Sequence, residues 1–341
     1  MNPFARRRVG RTELNVTPLG FGGGTLGDRL SVIEETQSDA TMEAAWAAGI
    51  RYFDTAPFYG IGKSEHRVGR ILRTRPRDEF VLTTKVGRVL TPQRSAGDDG
   101  EIRWAGGLPF DLRFDYTRDG VLRSYEDSLQ RLGLSRVDGL LIHDLDFRFH
   151  MTEEGVEAHM RALEAGGGFA ALQEVKAAGD IRAIGAGINH VGMIPRFLQR
   201  FDMDFFLVAM PYTLLTQEAL DDELSACLDR GVGVVIGAPF ASGILATGPR
   251  PDAEYSYRPA DAEIVEKTRR IEEICRRHGA SLGAAALQFP LAHPAVAAVI
   301  PGPNAPEYVR TNVEWVSSAI PGELWAELKH AGLVVAHAPT P

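Results

Sequence analysis

Two periodicities alternate along the chain. Short apolar runs rich in β-branched residues recur at 16–22, 50–54, 79–85, 137–143, 181–187, 205–210, 231–238 and 297–302. Between them lie longer stretches with apolar residues at helical spacing, among them 33–48, 64–73, 117–132, 167–178, 215–230 and 260–278. Runs such as "VDGLLIH" and "GVGVVIGA" are apolar almost throughout, as in strands buried on both faces of a parallel sheet. Eight strands, each followed by a helix, predict an α/β fold: one (β/α)8 TIM barrel domain spanning 1–341, with a doubly wound sheet as the alternative.

Before the first strand, "RRRVGRTELNV" fits a small N-terminal β-hairpin turning at Gly10. After the third strand, 86–116 is polar and aromatic and reads as an extended loop at the C-terminal mouth. Loops of that length inside a compact domain are usually functional. The tail, about 335–341, ends in "AHAPTP" and reads as poorly ordered.

Composition narrows the partners. The 341 residues are 44% hydrophobic and 24% charged, as in soluble globular proteins. A net charge of −8 argues against a nucleic-acid or anionic-membrane surface, since either favours a basic patch. Cys227 and Cys275 lie far apart with no CxxC pair, so no disulfide framework is expected and a reducing compartment fits. "MNPFARRRVG" lacks the apolar stretch of a secretory signal, and no apolar run approaches the roughly 18 residues of a membrane span. The expectation is a cytoplasmic protein acting on a small molecule, with no metal site assigned and the oligomeric state open.

Two glycine motifs imitate nucleotide-binding loops. "GGGTLG" (22–27) matches GxGxxG after a strand, but ten residues separate it from the next helical pattern, so no helix N-terminus meets a diphosphate there. It reads better as a turn at which backbone approaches another group closely. "GIGKS" (60–64) resembles the end of a Walker A loop, yet its first glycine position is Pro57, which has no N–H to offer phosphate. Ser64 as an N-cap of the following helix is the simpler reading.

The ends of the strands carry the candidate chemistry, because in a barrel they converge on one mouth. Asp54 ends the second strand, Tyr59 follows it, Lys85 ends the third and His143 ends the fourth. Each alone has a bland explanation: a turn-capping aspartate, a solvated lysine, a hydrogen-bonded structural histidine. Together they form a coherent set. A phenol is a poor acid or base at neutral pH, and a neighbouring ammonium held by a carboxylate is expected to lower its pKa. With a histidine to orient a substrate oxygen, the set suits proton transfer coupled to hydride transfer, the hydride being a cofactor's.

"GIRYFDTAPFYG", "TK" at the end of the third strand, the strand-terminal His143 and "IPGPNAPEYVRTN" (300–312) resemble the aldo-keto reductase family, over most of the chain from Leu14 to about Trp315. The resemblance implies Tyr59 as acid/base, Lys85 as its pKa modulator, Asp54 as the lysine's partner and His143 as the substrate-orienting group. It also implies a nicotinamide cofactor across the mouth. Asn189 would bind the carboxamide, Tyr212 would stack on the nicotinamide, and Ser242, Gly243 and Leu245 would wrap the diphosphate. Gly23 and Asp54 would border the cofactor, and Ile300, Gly302, Asn304, Tyr308 and Asn312 would lie at its adenosine end.

Departures from the family pattern bear on the cofactor. Ile188 stands where many members have serine, and Met210 where many have glutamine. Gly302 and Tyr308 occupy positions where many NADPH-dependent members have a lysine and an arginine, leaving Arg310 as the nearby cation. NAD is therefore the expected cofactor, with NADP the alternative. Within the family, "HDLD" after the fourth strand, the "GFGGGTLG" opening and the 86–116 loop resemble the branch of D-threo-aldose, L-fucose and L-galactose 1-dehydrogenases, which would oxidise C1 of an aldose to a lactone. Asp144 and Asp146 would accept hydrogen bonds from sugar hydroxyls and Trp104 would stack on the ring, unless the aspartates are solvated loop charges and Trp104 only packs the loop. The alternatives are pyridoxal 4-dehydrogenase, a general NADPH-dependent aldehyde or ketone reductase and, more remotely, a cofactor-sensing regulatory subunit resembling potassium-channel β subunits.

Overall fold

A computed structural model describes residues 1–29, 31–94 and 104–341. In chain order its strands are β1 (Arg7–Arg8), β2 (Asn15–Val16), β3 (Phe21–Gly22), β4 (Tyr52–Asp54), β5 (Val81–Val86), β6 (Arg88–Pro92) and β7 (Phe110–Phe114). They continue with β8 (Gly139–His143), β9 (Ala183–Ile188), β10 (Phe205–Ala209), β11 (Gly233–Gly237), β12 (Glu254–Tyr255), β13 (Arg258–Pro259) and β14 (Val296–Ile300). Eight of them make one parallel sheet in the order β3, β4, β5, β8, β9, β10, β11, β14. Leu19 forms a parallel bridge to Val299, and Gly20 N donates to Val299 O at 2.9 Å, which closes the sheet into the expected barrel.

The continuous apolar runs are explained by what each face meets. Inward-facing Tyr52, Val81, Leu141, Ala183, Phe205, Leu207, Val235 and Ala298 fill the lumen, together with Val9, Leu14 and Val16 from the β1–β2 hairpin, which plugs one end. Outward-facing Phe53, Leu82, Leu140, Ile142, Ile184, Phe206, Val208 and Val234 pack under the helices. Period-2 alternation is hidden because both faces are buried.

Two expectations change. The segment after β5 is not an extended loop in its described parts: β6 and β7 pair antiparallel from Arg88↔Phe114 to Pro92↔Phe110 and form a hairpin beside the mouth. Ser64 does not cap a helix. The helix Lys63–Leu72 has Gly62 at its N-cap, and Ser64 Oγ donates to Gly23 O at 2.7 Å while pairing with Thr55 Oγ1 at 2.9 Å, which ties the glycine turn to the strand-end turn. At the C-terminus Val335 N donates to Gln217 Oε1 at 3.4 Å, and Ala338 is buried. Among the described residues, no helix is long and apolar enough to cross a membrane.

Candidate active site

The C-terminal ends of the strands surround a cavity of about 310 Å³. Asp54, Tyr59, Lys85 and His143 all line it, so the four residues singled out by their strand-end positions meet at one place. Asp54 ends β4 and Lys85 lies one residue before the end of β5; the register sets Tyr52, Phe53 and Asp54 beside Val81, Leu82 and Thr83. Lys85 Nζ donates to Asp54 Oδ2 at 2.5 Å and to Thr55 O at 2.9 Å, and Thr83 Oγ1 donates to Asp54 Oδ1 at 2.8 Å. Both members of the ion pair are 1% exposed. Lys85 Nζ sits 4.7 Å from the centre of the Tyr59 ring, and the His143 ring stands edge-on to it with centroids 5.8 Å apart.

The electrostatics correct one expectation. The Tyr59 phenol is held well above its usual value rather than below it. Burial is the largest cause, the negative charges of Asp54 and Asp144 add to it, and Arg88 opposes. The ammonium of Lys85 is already neutralised by Asp54, so little of its field reaches the phenol. His143 is pushed well below the usual imidazole range by burial, with Arg88 and Lys85 acting the same way against Asp144. It is therefore neutral at physiological pH.

Asp144 and Asp146 do not wait for substrate. Asp144 lines the cavity, but Oδ2 accepts from Arg88 Nη2 at 2.8 Å and lies 3.2 Å from His143 Nε2, while Oδ1 accepts from Asn189 Nδ2 at 2.8 Å. Asp146 is fully buried and absent from the cavity wall. Its Oδ1 accepts from Arg148 N at 2.9 Å, and its Oδ2 accepts from Asn189 N at 2.7 Å and Nδ2 at 3.0 Å. The proposed sugar contact at Asp146 is therefore corrected to a support for Asn189. Asn189 lines the cavity, and its amide nitrogen donates to both carboxylates.

The cofactor set divides in two. Asp54, Asn189, Ser242, Gly243, Ile300 and Gly302 line the cavity, together with Gly22, Gly24 and Gly187. A Cβ on Gly187 would stand 3.6 Å from Lys85 Cε and 3.9 Å from His143 Cδ2, ordinary contact distances that place this glycine against both side chains. Ala241, Ser242 and Gly243 have φ of 48°, 66° and 113°, a left-handed turn beside the cavity in which Ala241 N donates to Ala238 O at 2.8 Å and Gly243 N to Phe240 O at 2.9 Å. These features fit a nicotinamide dinucleotide. Gly23 lies just behind the wall, its carbonyl engaged by Ser64. Leu245 is fully buried beneath the loop. Asn304, Tyr308 and Asn312 lie outside the cavity, with Tyr308 54% exposed and Asn312 buried in the helix Pro306–Ser317.

Tyr212 is a second correction. Met210 has φ of 82°, and beyond that bend the Tyr212 ring enters the core against Phe289 and His293 instead of facing the mouth. It is fully buried and not part of the cavity wall.

Sequence reasoning missed several cavity residues: Phe58, Phe149, Tyr257, Arg29, Arg148 and, in contact with the wall, Arg88. Trp104 was anticipated, and it stands edge-on to Phe58 at 5.3 Å and tilted to Tyr59 at 6.0 Å. The signal for Arg88 was legible as a lone charge in the greasy run "VGRVL". Tyr257, at the tip of the β12–β13 hairpin with φ of 62°, left no such trace.

Comparison with known proteins agrees with this geometry. The model of the aldo/keto reductase family matches residues 18–332. Pyridoxal 4-dehydrogenase of Microbacterium luteolum is 41% identical over 340 residues, 96% of this chain and 98% of its own. D-threo-aldose 1-dehydrogenase of a Pseudomonas species is 40% identical over 334 residues, 96% of each chain. Among solved structures, an aldo-keto reductase from Bacillus halodurans in its holo form superposes with a TM-score of 0.73 at 25% identity, covering 98% of both chains.

Proposed function

The chain belongs to the aldo/keto reductase family, and from that membership we propose an NAD(P)-linked dehydrogenase that oxidises C1 of an aldose to the lactone. The observation that carries the reading is the buried Lys85–Asp54 pair set behind Tyr59, with a neutral His143 edge-on to the same ring. A bound nicotinamide supplies the hydride acceptor, which no side chain can. Tyr59 takes the substrate's hydroxyl proton on its phenolic oxygen. His143 Nε2, 3.2 Å from Asp144 Oδ2, meets the substrate oxygen from the other side. Asn189 offers its oxygen to the carboxamide, and the turn at 241–243 receives the diphosphate. Gly302 and Tyr308 offer no cation for a 2′-phosphate, which favours NAD over NADP.

A second reading rests on the walls. Phe58, Tyr59, Trp104, Phe149 and Tyr257 make the cavity largely aromatic, and of its carboxylates Asp54 and Asp144 are already hydrogen-bonded, which leaves Glu254 beside Arg29. A flat aromatic alcohol or aldehyde of the pyridoxal type suits such walls better than a polyol, whose hydroxyls need free partners. One screen separates these readings: aldoses, pyridoxal and simple aldehydes, each with NAD and with NADP, followed by absorbance of the reduced cofactor. Aldose oxidation with NAD supports the first and pyridoxal oxidation the second. Reduction of simple aldehydes with NADPH alone, or tight cofactor binding without turnover, overturns both.

A further inference from the structure

Arg88 is the largest group near the site that the chemistry above does not use. It is the third residue after Lys85, at the start of β6, and its side chain is fully buried. The guanidinium carbon lies 3.9 Å from the ring centre of Phe58, 4.2 Å from that of Phe149 and 4.3 Å from that of Phe114. Stacking of this kind suits the planar guanidinium and holds it in place. From there Nη2 donates to Asp144 Oδ2 at 2.8 Å. Asp144 follows β8 directly, with φ of 53°, a left-handed conformation that a non-glycine residue keeps only when its surroundings require it. Its N donates to Gly187 O at 3.0 Å, which anchors the bend to β9. The bend points one carboxylate at two groups of the site, His143 Nε2 at 3.2 Å and Asn189 Nδ2 at 2.8 Å.

We propose that the Arg88–Asp144 pair is a positioning device that sets the tautomer and charge of His143 and the orientation of the Asn189 amide together, joining the substrate and cofactor sides of the cavity. The proposal rests on the assignment of His143 and Asn189 made above. Asp144 Oδ2 stands 3.2 Å from His143 Nε2, where its charge favours a proton on that nitrogen, and Oδ1 accepts one amide hydrogen of Asn189. Arg88 balances the carboxylate, so that it orients the imidazole without protonating it. The other charged and titratable groups around His143 among the described residues are Lys85 on β5, already paired with Asp54; Tyr59 after β4; and Tyr116, whose hydroxyl donates to His143 O at 2.7 Å and lies 3.1 Å from His150 Nε2. None of these opposes Asp144 as directly as Arg88 does.

The test is the titration of the His143 ring by NMR of ¹⁵N-histidine-labelled protein, assigned with His143→Asn, alongside the pH profile of kcat/KM in the reducing direction. In the wild type the imidazole stays neutral, as the Nε2–H tautomer, across the neutral range. In Arg88→Met the unbalanced carboxylate draws a proton onto the ring, its titration moves up by at least about one pH unit, and kcat/KM gains an acid limb falling about tenfold per unit. Arg88→Lys keeps the charge and returns the titration towards the wild-type position. Asp144→Asn removes the charge from one of the two carboxylates that hold the Asn189 amide, leaving Asp146, so the amide is held less firmly and cofactor Kd, read by quenching of protein fluorescence, rises about tenfold. If Arg88→Met does not fold, Arg88→Gln removes the same charge and carries the same ring titration. An unmoved ring titration in the variant that removes the Arg88 charge, or Asp144→Asn with unchanged cofactor Kd, overturns the proposal. These readouts need no turnover, so failure here is distinct from failure of the functional reading, which Tyr59→Phe tests.

Discussion

Tyr59 shares its cavity with a buried ion pair on one side and a second, Arg88–Asp144, on the other. Burial dominates its protonation, holding the phenol well above the usual 10. Oxidation needs the phenolate, which forms only as pH approaches that raised value. The oxidative rate is therefore expected to rise by about tenfold per pH unit through the neutral range, without a plateau below about pH 9. Initial rates at saturating cofactor check this, and a flat profile would contradict it. Tyr59→Phe is expected to lower kcat by about 10²- to 10⁴-fold while leaving cofactor Kd within about twofold, because the phenol acts on the proton and not on the dinucleotide. Fluorescence titration and steady-state kinetics on one preparation read both quantities. Comparable turnover in that variant removes Tyr59 from the mechanism.

Among the elements, two contacts show how packing overrides local preference. The helix Lys63–Leu72 crosses the helix Arg118–Leu132 so closely that a Cβ on Gly69 would lie 2.1 Å from Leu132 O. Gly→Ala inside an exposed helix usually stabilises by about 0.5–1 kcal/mol. Here the sign reverses, and Gly69→Ala is expected to destabilise by about 1–3 kcal/mol, seen as a lower Tm. An unchanged or raised Tm would rule out the close crossing. The second contact is Glu223, in the π-helical turn Leu220–Leu224, which accepts from Ile194 N at 3.3 Å at the start of the helix Met193–Arg200. Burial raises its carboxyl to about 7. A raised folded-state value means that its stabilising contribution is complete below the unfolded value of about 4.5 and disappears as pH rises through about 7. The loss amounts to about 3 kcal/mol. Wild-type Tm should therefore fall between about pH 5 and 8 more steeply than that of Glu223→Gln, and parallel curves would refute the assignment.

For the whole molecule, closure is the main consequence of strand order. Each barrel strand has a parallel neighbour on both sides once Leu19 meets Val299, and the β1–β2 hairpin seals the lumen with Val9, Leu14 and Val16. No strand can leave without exposing two others, so we expect the barrel to unfold as a unit, as one calorimetric transition. Two resolved transitions would show that the chain is more than one domain. Closure also places the polar strand ends around one mouth while the apolar runs stay buried. The site is thus a product of the barrel as a whole.

The number of strands, their parallel order and the gathering of Asp54, Tyr59, Lys85 and His143 were legible in the amino-acid sequence. An apolar run ends where the strand meets solvent, and a charge there marks the mouth whichever helices follow. The same local logic failed where a turn, rather than a strand, aims the side chain. Asp144, Met210 and Ser242 have φ of 53°, 82° and 66°, conformations that their residue types do not announce. Those bends direct the Asp144 carboxylate at Arg88, send Tyr212 into the core and turn the backbone at 241–243 beside the cavity. Arg88, in a run of apolar residues, finds its carboxylate 56 positions away. Periodicity reports what surrounds a strand, so it determined the frame. The direction of a side chain after a bend depends on contacts made across the barrel, and only the tertiary structure decided it.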